Sequence, residues 1–89
     1  MMRRDPDFFA DRELALIYIA KKLREALRLE GLLTERGVEY AVEPDTYKGG
    51  VIFASERIGA FFYVLPDTME AARAVMQQHG FRMHEEDLR

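Results

Sequence analysis

Six consecutive residues, Ala60 to Leu65, are all apolar or aromatic, and they run directly into Pro66, Asp67, Thr68, Met69 and Glu70. An unbroken run of this kind lacks the alternation of a half-wet strand and reads as a central strand covered on both faces. Pro66 ends it. Asp67 stands where a helix N-cap is expected, and Glu70, three residues on, is placed as the reciprocal member of a capping box. Met69, Ala72, Val75 and Met76 then recur at helical spacing, and Gly80 supplies the left-handed residue that closes the helix after His79. A buried strand feeding a capped helix obliges the remaining chain to supply neighbouring strands for the first and a packing surface for the second.

Leu14 to Ala20 is the other all-apolar run, β-branched and aromatic at its centre, and it reads as the first strand. Leu16, Ile19, Leu23 and Leu27 would also suit one long helix from about 11 to 35, so the strand is the reading to be tested. Lys21 to Arg36 is helical by pattern: Leu23, Ala26, Leu27 and Leu33 share one face, Lys21, Arg24 and Arg28 the other, and Gly37 closes it. Glu30 falls within the apolar arc and reads as a structural carboxylate that reaches the edge through its stem. Val38, Tyr40 and Val42 alternate with Glu39 and Glu43, the signature of a strand with one wet face. Glu43 to Gly50 reads as a loop, Val51 to Ala54 as a short extra strand, Ser55 to Gly59 as a hairpin connection, and Phe81 to His84 as an edge strand.

That order predicts an α+β fold: a ferredoxin-like βαββαβ sandwich, its antiparallel sheet carrying two helices on one face and an extra short strand before the third core strand. The domain covers 14–84. Residues 1–13 form an N-terminal arm whose Phe8 and Phe9 pack on the domain or a neighbour, and 85–89 form a charged tail. Strand alternation assigns Ile17, Ile19, Phe62 and Val64 to one face of the sheet and Leu16, Tyr18, Phe61 and Tyr63 to the other. The helices cover the first set, and the second is a contiguous apolar patch of the sort that meets a partner.

With 89 residues the chain is one domain, small enough that leftover apolar area often ends in a subunit contact. It has no cysteine, which excludes disulfides and thiolate chemistry and suits a cytoplasmic protein. Asp5, Asp7, Asp11 and Glu13 follow the Met-Met-Arg-Arg start and interrupt the apolar core a signal peptide requires. The longest apolar runs are too short to span a bilayer, so no membrane association is expected. A net charge of -3 argues against a partner rich in phosphate. The slight basic excess sits in residues 1–36, with eight Lys or Arg against seven acids, whereas residues 37–89 carry five against nine.

Glu25-Ala26 and Gly31-Leu32-Leu33 within the helix leading to Gly37-Val38, and Val64-Leu65-Pro66-Asp67-Thr68-Met69-Glu70-Ala71 further on, resemble segments of the small bacterial domains known as putative prokaryotic signal-transducing proteins, a family of unknown function. The resemblance covers less than half of the chain and mostly concerns helix packing and caps. It implies a ferredoxin-like binding or regulatory domain able to dimerise, and it transfers no catalytic residue. Gly49 to Gly59 departs from the family's pattern.

No residue constellation points to catalysis. His79 and His84 lack the i, i+4 or HExxH context of a metal site, Gly49-Gly50 reads as a turn, and Ser55, Thr34, Thr46 and Thr68 have no local activating base, so no enzyme, metal or cofactor is expected. Two candidate sites remain. Tyr47, Lys48, Glu56 and Arg57 offer a cation, a carboxylate and hydroxyls on two adjacent loops and are the expected ligand-binding residues. Leu16, Tyr18, Phe61 and Tyr63 form the expected dimer interface. The alternative reading gives the same aromatic face to single-stranded nucleic acid, because a ring on the first strand and two at i, i+2 on the third resemble the base-stacking arrangement of RNA-recognition domains. Ile58 stands where that motif has glycine, and the acidic balance opposes phosphate.

Overall fold

In a computed structural model the chain is described over residues 3–4, 13–49 and 55–84. Its elements are β1 (Arg3–Arg4), β2 (Ala15–Ala20), α1 (Leu23–Glu35), β3 (Tyr40–Gly49), β4 (Ser55–Val64), a 3₁₀ turn (Pro66–Thr68) and α2 (Met69–Gln78). The sheet runs β1-β3-β4-β2. β2, β4 and β3 form a three-stranded antiparallel unit, and β1 adds a two-residue parallel pairing of Arg3 and Arg4 with Tyr40 and Ala41. The two apolar runs are adjacent strands, which excludes the single long helix over 11–35.

Both helices pack on one face. Ile17, Tyr40, Phe62 and Val64 from the sheet are fully or almost fully buried against Leu29 and Leu33 of α1 and Ala72 and Met76 of α2. Tyr40 and Phe62 stack with ring centroids 6.0 Å apart. The Tyr40 hydroxyl lies 3.0 Å from Thr34 Oγ1 and donates to the Glu30 carbonyl at 3.2 Å, so the one polar tip at the bottom of this core is satisfied by α1.

The two helix ends follow the glycine logic. Gly37 and Gly80 have φ of 74° and 80°. In each case the residue after the glycine bonds back to the last turn: Val38 N–H to the Leu33 carbonyl at 2.9 Å, and Phe81 N–H to the Met76 carbonyl at 2.9 Å. These are Schellman closures, and each turns the chain so that an apolar residue, Val38 or Phe81, is buried directly after the helix.

Several expectations are corrected. β3 continues through Glu43 to Gly49 and β4 begins at Ser55, so the stretches read as a loop and a hairpin connection are one long ladder from Ala41↔Tyr63 to Gly49↔Ser55. Polar composition hid it, because both strands leave the body and need no apolar alternation there. The extra strand expected at 51–54, the Phe8–Phe9 contacts of the arm and the tail at 85–89 lie outside the described residues. Phe81 to His84 does not form a strand; one bond from His84 N–H to the Ile17 carbonyl at 2.7 Å ties it to β2. The α+β architecture is therefore compatible with a ferredoxin-like sheet, whose fourth strand is absent among the described residues.

The register of β2 is the largest correction. Leu16 pairs with Tyr63, whereas Tyr18, two residues later, pairs with Phe62, so Ile17 is an extra, bulged residue. From the bulge onward the faces exchange. Tyr18 turns to the helix side, edge-on to Phe62 at 6.5 Å and to Phe81 at 5.3 Å, while Ile19 pairs with Phe61 on the opposite side. On α1 the apolar arc is also rotated: Ala26, Leu29 and Leu33 are buried, whereas Leu23 and Leu27 are exposed. The capping box does not form. Asp67 sits within the 3₁₀ turn, where its Oδ1 accepts the Thr68 hydroxyl at 3.4 Å, Thr68 is the N-cap with no side-chain capping bond, and Glu70 instead meets Arg73 Nε at 3.6 Å.

Candidate functional site

β3 and β4 bring the four expected ligand residues onto one antiparallel ladder, where Tyr47 pairs with Arg57 and Lys48 with Glu56. Alternation places positions 47 and 57 on the helix-free face with Phe61 and Tyr63.

Tyr47 is organised by a different neighbour. A Cβ on Gly59 would stand 3.1 Å from Tyr47 Cε1, from Ile19 Cγ2 and from the Ala20 carbonyl oxygen. The Tyr47 ring edge and the Ile19 side chain thus crowd the space over Gly59, which a side chain there would have to share. Lys21, the first residue after β2, sets its Nζ 5.3 Å from the centre of the same ring, within cation–π range.

A cleft of about 690 Å³ opens beside this ring, at the edge of β2 where a fourth strand would run. Tyr18, Lys21, Lys22, Tyr47, Arg82 and His84 border it. Glu25 is the one acid on its lining, and its Oε1 accepts the Lys21 backbone N–H at 3.4 Å at the start of α1. Burial, together with the Glu25 carboxylate, pushes the Tyr18 phenol above its ordinary pKa, and the nearby Arg28 guanidinium works in the opposite sense. Three cations and two aromatic rings suit a planar or anionic small molecule; Tyr47 is among the residues expected from the sequence, whereas Lys21, Lys22 and Arg82 are brought to the cleft by the fold. The Lys21-Lys22 doublet at the end of the first apolar run was the available signal.

The helix-free face holds the other expected set, amended. Leu16, Ile19, Phe61 and Tyr63 are all half-buried and aligned across β2 and β4, and Tyr18 is not among them. Burial raises the Tyr63 phenol pKa, and the Glu43 and Asp45 carboxylates raise it further, which marks negative charge beside this row. Both histidines are tied through their backbones: His79 ends α2 and its carbonyl accepts Arg28 Nη2 at 3.0 Å, and the His84 N–H donates to the Ile17 carbonyl. Among the described residues no three His, Asp or Glu side chains gather to hold a metal ion, and no helix is long and apolar enough to cross a membrane. Comparison with protein-family models, with curated proteins and with solved structures finds no match to this chain.

Proposed function

We propose that this chain is a small, non-enzymatic, cytoplasmic binding or regulatory domain with a ferredoxin-like core, which pairs with a second copy across its helix-free sheet face and takes a small molecule at the Tyr47 end. The observation that supports it is the row Leu16, Ile19, Phe61 and Tyr63. Four large apolar side chains in register on the face opposite both helices are half-buried by the protomer itself and complete their burial against a partner. Tyr47, beside Gly59 and within cation–π range of Lys21, extends the same face toward the cleft, and Arg57 is its cross-strand partner. Lys48 and Glu56, paired with each other next along the same ladder, stay in the proposed ligand set. The resemblance to the signal-transducing family implies the same kind of domain.

Nucleic acid fits this face poorly. The bulge removes the Tyr18 ring from it, and Glu43 and Asp45 set carboxylates beside Tyr63 where phosphates would run. The test is light scattering on the wild type and on Phe61→Arg, which places a charge at the centre of the row. A wild-type dimer that becomes monomeric supports the reading; a monomeric wild type at all concentrations overturns it.

A further inference from the structure

Leu23 and Ile58, 75 % and 73 % exposed, are the barest large apolar side chains among the described residues, and both border one groove of about 280 Å³. Cross-strand pairing explains its floor. Val42 pairs with Phe62, Pro44 with Ala60 and Thr46 with Ile58. Phe62 belongs to the core beneath the helices, so alternation sets Val42, Pro44, Ala60 and Ile58 on that same side of the sheet. β2 stops at Ala20, opposite Ala60, whereas the β3–β4 ladder continues to Gly49↔Ser55 with no third strand alongside it among the described residues. The first turn of α1 supplies the one wall, Leu23 and Ala26.

The charge on this groove has one sign. Among the described residues its lining carries two charged side chains, Lys21 and Lys22, both cations at the start of α1. Glu43 and Asp45 flank the floor in sequence, but they pair with Phe61 and Gly59 and so alternate to the helix-free side, and Glu25 lines the neighbouring cleft instead. Lys21 and Lys22 border that cleft too, so the lysine pair joins an apolar hollow to a polar one. Lys21 is engaged with the Tyr47 ring, and the Lys22 ammonium has no acid partner among the described residues. An apolar trough that ends in positive charge favours an occupant that is apolar along its length and anionic at one end. A polar anion would leave Leu23 and Ile58 unused, and a neutral oil would leave the lysines unused.

We infer that the groove takes the alkyl chain of a single aliphatic carboxylate, a free fatty acid, whose head is held by Lys22 and Lys21 where the groove meets the cleft. The inference rests on the proposed reading that the Tyr47 end of the protomer binds a small molecule, and it names the chemical class. At about 30 Å³ for each water-sized group, the groove has room for a chain on the order of ten carbons. Leu23 from the helix and Ile58 from the ladder then flank that chain.

Isothermal titration calorimetry with decanoate, octanoate, hexanoate, decylamine and benzoate tests this. Decanoate is expected to bind, with each methylene removed weakening binding by up to about fourfold. Decylamine, with the same tail and the opposite charge, is expected to bind about tenfold more weakly or worse. Affinity independent of chain length, or equal for the amine and the acid, overturns the inference. Lys22→Glu keeps the helix, because an acid suits its first turn, and is expected to weaken decanoate about tenfold. The double variant Leu23→Gln, Ile58→Gln changes exposed positions, is checked for wild-type circular dichroism, and is expected to abolish the dependence on chain length. Unchanged decanoate binding in either variant overturns the inference, as does capture by phosphatidylglycerol vesicles without binding of free decanoate. Benzoate bound in the wild type and lost in Tyr47→Ala, with no decanoate binding, leaves the cleft reading and removes this one. Decanoate binding with no benzoate binding leaves this one.

Discussion

Gly59→Ala adds a single methyl group, and the structure decides the sign of its effect. Gly59 has no positive φ, so the substitution costs nothing in backbone strain and gains about 0.4–1 kcal/mol by restricting the unfolded chain. Against this, the new Cβ meets three atoms at 3.1 Å, closer than ordinary van der Waals contact. Tyr47 Cε1 and Ile19 Cγ2 belong to side chains that can yield, but the third atom is the Ala20 carbonyl oxygen, fixed in the β2–β4 ladder opposite Ala60. Overpacking of this kind costs about 1–3 kcal/mol. The net is a destabilisation of about 1–2 kcal/mol. For a domain of this size that lowers Tm by roughly 4–8 °C per kcal/mol. Thermal unfolding followed by far-UV circular dichroism reads the stability, and the near-UV tyrosine signal reports displacement of the Tyr47 ring. A Tm equal to or above wild type, with an unchanged tyrosine signal, would refute the claim that space rather than backbone conformation keeps position 59 bare.

Tyr40→Phe removes a hydroxyl that meets Thr34 Oγ1 and donates to the Glu30 carbonyl, and it is expected to cost about 1–2 kcal/mol in chemical denaturation; no loss would mean that these bonds are replaced at no cost. The raised pKa values of Tyr18 and Tyr63 mean that the native state holds these protons more tightly than the unfolded chain does. Stability from both is then complete below the unfolded phenol pKa of about 10 and is lost as pH rises through the higher native values. Unfolding midpoints measured from pH 8 to 11 should fall above about 10, less so in the Tyr18→Phe, Tyr63→Phe double variant; equal decline in both proteins contradicts the assignment.

What could be read from the chain was whatever a single stretch encodes in itself. Ala60–Leu65 and Leu14–Ala20 are strands because unbroken β-branched and aromatic runs of that length bury well in nothing else, and Gly37 and Gly80 end helices because no other residue adopts their φ so readily. The β3–β4 ladder was missed between Glu43 and Gly59 because cross-strand bonding specifies it there, and Pro44, Gly49 and Gly59 are residues that strands disfavour. Face assignments failed for Tyr18, Leu23 and Leu27 for a related reason. A bulge is a property of two strands together, and which flank of an amphipathic helix is covered depends on how α2 and the sheet meet it. The ligand residues were placed on loops where the structure has a paired ladder, and the cations of the cleft come from two places distant in sequence, the β2–α1 junction and the segment after α2.

The surplus residue at Ile17 has a consequence for how this surface could change over generations. Loss of that one codon would restore simple alternation with Tyr18 still opposite Phe62 and Ile19 still opposite Phe61, so the sheltered phenol would stay beneath the helices and the core would lose only an isoleucine. Pairing every residue without the bulge would instead carry the phenol to the bare side of the ribbon and an isoleucine inward. The extra amino acid is thus what turns this ring away from whatever the bare side touches.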